Sequence, residues 1–284
     1  MLKLALIGDL HYPRLEKETE EFMRARDYFY QSFIDQFTAE EASFHISIGD
    51  LTHHGYMNEL EDIYRYLGQR TINFRHVLGN HDAYTNRKSD ILAMINQPRY
   101  NKVETEEAIL LFLDTTREMN ADDWSGDMDQ EQLEWLDKSI EESGTKAVMI
   151  FGHHPVYDTT DRSTFKNLSI VPEIDMKAIL NKKKGPGFYF CGHNHSHSIT
   201  QENQWTFVQT ADCLDHQSYR LIEVDKDQVQ ISMITIENEH MSAQANVVHN
   251  ELYPKGVPFD FLGKTDDQER VIELSTLRGV IGRG

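Results

Sequence analysis

The residues able to do chemistry recur in short polar stretches, each at the end of an apolar run. Asp9 and His11 follow Leu2–Ile7, and Asp50 follows Phe44–Ile48. Asn80, His81 and Asp82 follow Ile72–Leu78, His153 follows Ala147–Phe151, and His193 and His195 follow Phe188–Cys191. Gly8, Gly49, Gly79, Gly152 and Gly192 stand beside them, where a backbone must turn sharply. Taken singly, an Asp after Gly is an ordinary turn or helix cap, and a lone His is most often a hydrogen-bonded structural residue. Recurrence at successive strand ends is not explained that way.

Carboxylate, amide and imidazole donors without a thiolate suit Mn, Fe, Zn or Co rather than Cu(I). One cation would not use them all. Two cations about 3.5–4 Å apart, bridged by a shared carboxylate, would; such a pair activates water and clamps a phosphoryl group for in-line displacement. The i, i+2 spacings of His193 with His195 and of Asp9 with His11 let each pair serve two ions. Asn80 adds a neutral oxygen, which limits negative charge beside an anionic substrate.

The elements that must position these residues read as strand, helix, strand, helix, strand over the first 78 residues. Glu16–Ala42 lacks internal Pro and Gly and repeats Phe22, Tyr28 or Phe29, Phe33 and Phe37 at helical spacing; Glu59–Gln69 repeats Leu60, Ile63, Tyr64 and Leu67. Shorter helices are expected over Asp90–Asn96, Gln130–Glu142 and Ile174–Leu180. In α/β folds the carboxyl ends of strands share one edge, where ligands collect. Ile199–Thr200, Trp205–Gln209, Tyr219–Val224 and Val229–Ile236 read as an antiparallel sheet. Periodicity fades past Asn238, so an extended tail running through Gly256-Val257-Pro258 is expected, with one helix near Gln268–Leu277. The expected organisation is one domain over 1–237 and an extension over 238–284 that caps the cleft or makes a dimer contact.

Lys+Arg 28 against Asp+Glu 47 gives a net charge of −19, which disfavours nucleic acid and anionic membrane surfaces. Met1–Ile7 reads as a first strand, and no apolar run approaches the roughly 20 residues that span a bilayer, so a cytoplasmic protein is expected. Cys191 and Cys213 make no disulfide framework and read as buried, reduced thiols.

The set Asp9-x-His11, Gly49-Asp50, Gly79-Asn80-His81-Asp82, Gly152-His153-His154-Pro155 and Gly192-His193-x-His195 resembles the five motifs of the calcineurin-like metallophosphoesterases, in order and spacing, over about residues 1–235. Within that superfamily it is similar to the class III cyclic-nucleotide phosphodiesterase and glycerophosphodiesterase branch. The resemblance implies an α/β fold of four αββα layers, two packed mixed sheets flanked by helices. It implies one metal held by Asp9, His11, Asp50 and His195, and a second held by Asp50, Asn80, His153 and His193. The ions would be Mn, Fe or Zn, and a hydroxide bridging them would attack a small phosphodiester. His81 would contact a phosphoryl oxygen and protonate the leaving group, with Asp82 orienting it from behind. His154 would support the metal loop. The alternatives are a phosphomonoesterase or broad-specificity phosphatase, a non-catalytic metal-binding protein, or a nuclease. His53 and His54 are candidate substrate contacts, and Arg87, Arg117 and Arg162 candidate phosphate contacts.

Overall fold

The computed structural model describes residues 1–254 and 260–277, so the expected Gly256-Val257-Pro258 segment lies outside the described residues. In chain order the elements begin β1 (Leu2–Ile7), α1 (Glu20–Ala39), β2 (Phe44–Ser47), α2 (Met57–Leu67), β3 (Phe74–His76), α3 (Lys88–Ile95), β4 (Asn101–Glu104) and β5 (Ala108–Phe112). They continue with α4 (Gln130–Glu142), β6 (Ala147–Phe151), α5 (Met176–Leu180), β7 (Gly187–Cys191), β8 (Ser198–Glu202) and β9 (Trp205–Gln209). The last are β10 (Ser218–Val224), β11 (Gln228–Thr235), α6 (Glu239–Leu252), α7 (Thr265–Gln268), β12 (Arg270–Glu273) and α8 (Leu274–Leu277).

The strands form two six-stranded sheets, ordered β12-β11-β10-β1-β2-β3 and β4-β5-β6-β7-β9-β8. Strand alternation explains the layers, because successive side chains leave opposite faces. Leu2, Leu4 and Leu6 of β1 meet Met149 and Phe151 of β6 and Phe188 and Phe190 of β7 in a core between the sheets. Ala5 and Ile7 face outward onto Phe29, Phe33 and Phe37 of α1. On the second sheet, Val148, Ile150, Tyr189 and Cys191 face outward onto Leu136 and Ile140 of α4. The result is the αββα arrangement.

Helix α1 starts where the Thr19 hydroxyl accepts from the Phe22 N–H at 3.1 Å. Its buried face uses Phe29, leaving Tyr28 exposed. Three expectations change. The last third is not one antiparallel sheet: β10 and β11 extend the first sheet, while β9 pairs parallel to β7 in the second. Beyond Asn238 the first element is a helix, capped by Asn238 Oδ1 on the Met241 N–H at 3.0 Å and packed on the α1 side through Met241, Ala245 and Val248. Its i, i+4, i+7 stripe is short, and one member is Ala, so the sequence signal was faint. The expected helix near Gln268–Leu277 is instead the end of α7, then β12 paired to β11, then α8.

Candidate metal centre

Strands β1, β2 and β3 run parallel in one sheet, and β5, β6, β7 and β9 in the other. Asp9, Asp50 and Asn80 therefore leave the first sheet, and His153, His193 and His195 the second, and the hydrogen bonds below bring them to one edge. The turns are tight. A Cβ on Gly79 would overlap Asp50 Oδ1, and one on Gly192 would overlap Asp9 Oδ2, so both positions require glycine. Asp9, His11, Asp50, His193 and His195 have φ of 49°, 50°, 51°, 70° and 53°, in the left-handed region. Side chains rarely adopt that conformation, and it is held where function requires it.

Around His153 Nε2 stand Asn80 Oδ1 at 3.0 Å, Asp50 Oδ2 at 3.2 Å and His193 Nδ1 at 3.2 Å. The outer nitrogens of the two rings face backbone carbonyls: His153 Nδ1 lies 3.0 Å from Ile48 O, and His193 Nε2 lies 2.9 Å from Asn167 O. Those carbonyls fix the tautomers that turn a lone pair inward. Ligand atoms about 2.0–2.1 Å from one ion lie about 3 Å from each other, so these spacings fit a cation.

The second cluster adjoins it. His11 Nε2 and His195 Nε2 are 3.1 Å apart, Asp9 Oδ1 lies 3.6 Å from His195 Nε2, and Asp50 Oδ2 lies 3.9 Å from His11 Nε2. Two imidazole nitrogens facing at 3.1 Å need a shared proton or a shared cation between them. Tyr30 OH donates to His11 O at 2.7 Å, which holds the turn in place.

Electrostatics follow burial. Burial, with Asp50 nearby, lifts Asp9 to about 8. Burial alone would depress His153, but the Asp50 carboxylate holds it up to about 9. Burial pushes His193 and His195 down to about 3, so both rings are neutral.

His81 lies beside the clusters, its ring 4.5 Å from that of His11 and 5.3 Å from that of His53. Its Nδ1 faces the His53 carbonyl at 2.5 Å. Asp82 does not orient it. That carboxylate is buried and accepts from Thr52 N and Oγ1, each at 2.8 Å, and from Gly79 N at 2.9 Å, and it pairs with His76 Nε2 at 3.2 Å. The sequence-level role of Asp82 is corrected accordingly: it ties the Asp50 loop to the Asn80 loop.

Of the remaining candidates, His54 turns toward Glu59, with Nδ1 3.0 Å from Oε1. His154 is held between Thr115 Oγ1 at 2.8 Å and Trp124 O at 3.1 Å, so neither ring nitrogen is left for an ion. Arg117 pairs with Asp127 at 2.8 Å, and Arg162 donates to Asn194 O at 3.1 Å. Sequence reasoning missed three residues. Tyr84 OH accepts from Asn80 Nδ2 at 2.6 Å and so fixes which end of the amide faces His153. Tyr253, just past α6, brings its ring to 5.6 Å from that of His53 and 6.5 Å from that of His11. Asp212 lies past β9 with Oδ2 3.9 Å from His11 Nε2. The one available signal was that β9 also ends in a polar stretch, Gln209-Thr210-Ala211-Asp212.

The family model described as calcineurin-like phosphoesterase matches residues 2–197. No curated protein matches the chain by sequence. Among solved structures, a dimetal phosphatase from Danio rerio superposes with a TM-score of 0.69 at 15% identity, covering 82% of this chain and 96% of that one. A purple acid phosphatase from yellow lupin seeds gives 0.55 at 11% identity, with 82% of this chain and 51% of that one covered. The anchor in the inner membrane complex of Plasmodium gives 0.53 at 13% identity, with 90% and 97% covered. At these identities the likeness is one of fold.

Proposed function

The chain belongs to the calcineurin-like phosphoesterase family, and from that premise we propose that it is a dinuclear metal-dependent phosphodiesterase acting on a small phosphodiester, a cyclic nucleotide or a related ester. One observation carries the reading. Asp50 Oδ2 faces His153 Nε2 at 3.2 Å and His11 Nε2 at 3.9 Å, so a single carboxylate oxygen addresses both clusters. In this reading Asp9, His11, Asp50 and His195 hold one ion, and Asp50, Asn80, His153 and His193 hold the other. Imidazole, carboxylate and amide donors fit Mn, Fe or Zn. Such ions, when bound, polarise a phosphoryl group and lower the pKa of a water.

The protein's own groups do the rest. With its Nδ1–H on the His53 carbonyl, a doubly protonated His81 would present Nε2–H to a phosphoryl oxygen and give that proton to the departing alkoxide, leaving a neutral ring whose Nδ1–H stays on the carbonyl. The His53 ring and Tyr253 stand next to it, where the leaving group would lie. Asn80 contributes a neutral oxygen beside the Asp9 and Asp50 carboxylates, which limits the negative charge that faces an anionic phosphoester. Two free, buried thiols suit a reducing, cytoplasmic setting. Rates on bis-(p-nitrophenyl) phosphate and p-nitrophenyl phosphate, each with Mn or Zn added, test the reading. Faster diester hydrolysis that disappears on chelation is expected; a preference for the monoester would make the protein a phosphatase.

A further inference from the structure

Asp212 is a buried carboxylate to which the reaction outlined above gives no task. It lies three residues beyond β9 and, because β9 runs parallel to β7, it leaves the second sheet at the edge that also carries His193 and His195. Its two oxygens differ. Oδ1 is committed to the local turn, accepting from the Leu214 N–H and, at 3.3 Å, from the Asp215 N–H. Oδ2 is buried without a hydrogen-bond partner, and it stands 3.5 Å from His195 Nδ1. A buried carboxylate oxygen with no donor is costly, and such an atom in a native site calls for an explanation.

Three other rings of the site supply one. His153, His193 and His81 each direct one nitrogen at a backbone carbonyl, of Ile48, Asn167 and His53 respectively. His195 differs: its Nε2 faces His11 and Asp9, and its Nδ1 faces the Asp212 carboxylate. We propose that Asp212 is the positioning residue of His195. Its Oδ2 takes the Nδ1–H, fixes the tautomer that leaves the Nε2 lone pair for the ion shared with Asp9 and His11, and adds negative charge behind that ion. A carboxylate does this more strongly than a carbonyl, because a charge-assisted hydrogen bond also raises the basicity of the ring. The inference rests on the dinuclear reading.

The test counts metal rather than turnover. Metal-free wild type, Asp212→Asn and Asp212→Glu are titrated with Co(II), with stoichiometry, affinity and the visible spectrum followed and the melting temperature of each metal-free protein recorded. Wild type is expected to take up two ions. Asp212→Asn should keep one ion at wild-type affinity and bind the other roughly 10–100-fold more weakly, with an altered spectrum for that ion and no loss of metal-free melting temperature. Asp212→Glu should recover part of the affinity. As a measurement independent of any variant's folding, proton NMR of Co(II)-loaded wild type should show a shifted, slowly exchanging ring N–H from His195. Two ions bound by Asp212→Asn at wild-type affinity, or a rapidly exchanging His195 N–H, overturns the inference while the dinuclear reading stands. Uptake of fewer than two ions by wild type overturns both.

Discussion

The imidazole of His81 is oriented by the backbone of His53: Nδ1 lies 2.5 Å from the His53 carbonyl oxygen. The turn containing His53 is fastened in turn by Thr52, whose N–H and hydroxyl both reach Asp82 at 2.8 Å. The Asn80-His81-Asp82 stretch thus divides its work differently from what its spacing suggests. Asn80 faces His153, His81 lies against the rings of His11 and His53, and Asp82 points back into the protein to hold together the two loops that carry them.

His81→Ala should therefore remove catalysis without removing metal. A positioned proton donor contributes typically 10²–10⁴-fold, so kcat should fall by about that factor while two ions remain bound. Metal content and turnover measured on the same sample check this, and loss of an ion along with activity would make His81 a ligand.

Asp82→Asn should behave as a stability variant. It weakens a buried pair with His76 and presents an amide to donors that need an oxygen. A cost of about 3 kcal/mol is expected, seen as a lower denaturation midpoint. Because His81 keeps its carbonyl partner, the folded variant should retain kcat within a few fold. A loss as deep as that of His81→Ala would restore Asp82 to the proton-donating machinery.

Asp50 is the residue on which both clusters depend in the proposed centre. Asp50→Ala should abolish uptake of both ions, whereas His193→Ala should spare the ion held by Asp9, His11 and His195. With several kcal/mol of transition-state stabilisation removed, activity should drop by roughly 10³-fold or more. Elemental analysis after dialysis distinguishes the two variants, and equal metal content in both would deny the bridging role.

Much of this was legible in the sequence because the site sits where strands end and uses residue types that seldom coincide. Asp9, Asp50, Asn80, His153, His193 and His195 could be picked out as strand-end residues, and strands buried on both faces announced themselves as unbroken apolar runs. Asp212 was hidden because its meaning depends on pairing: only once β9 is parallel to β7 does its end reach the same edge. The partner of His81 was hidden for a different reason, since a backbone carbonyl has no identity in a sequence. Tyr253 was hidden because α6 carries a weak apolar stripe of Met241, Ala245 and Val248, and without that helix nothing places a tail tyrosine beside His53.

Tyr253→Ala should act on substrate rather than on metal. An aromatic wall contributes about 0.5–1.5 kcal/mol to a neighbouring ring, so KM for an aryl or nucleoside ester should rise roughly two- to tenfold, with kcat and metal content held. An unchanged KM across several esters would remove the tail from the binding site.

The charge state of the ligands sets how metal uptake varies with pH. In metal-free protein Asp9 is lifted to about 8, mainly by burial, and His153 is held up to about 9 by Asp50 against the effect of burial. Both therefore carry protons at pH 7, while His193 and His195, pushed down to about 3, carry none. A cation needs the deprotonated forms, so filling both sites at pH 7 should release about two protons, and affinity should climb from about pH 6 to 9 and then level. The same shifts give the sign for stability without metal. A raised pKa stabilises the folded state below the unfolded values, about 3.9 for Asp and 6.5 for His, and that contribution is lost as pH rises through about 8 and 9. The depressed histidines act oppositely, but only below about pH 6.5, where they must remain neutral to stay folded. Metal-free protein should thus lose melting temperature between pH 7 and 9 while the loaded protein holds it. Calorimetric titration in buffers of different ionisation enthalpy measures the protons directly. A heat that does not depend on the buffer would show that Asp9 and His153 are already deprotonated and that the pH dependence arises elsewhere.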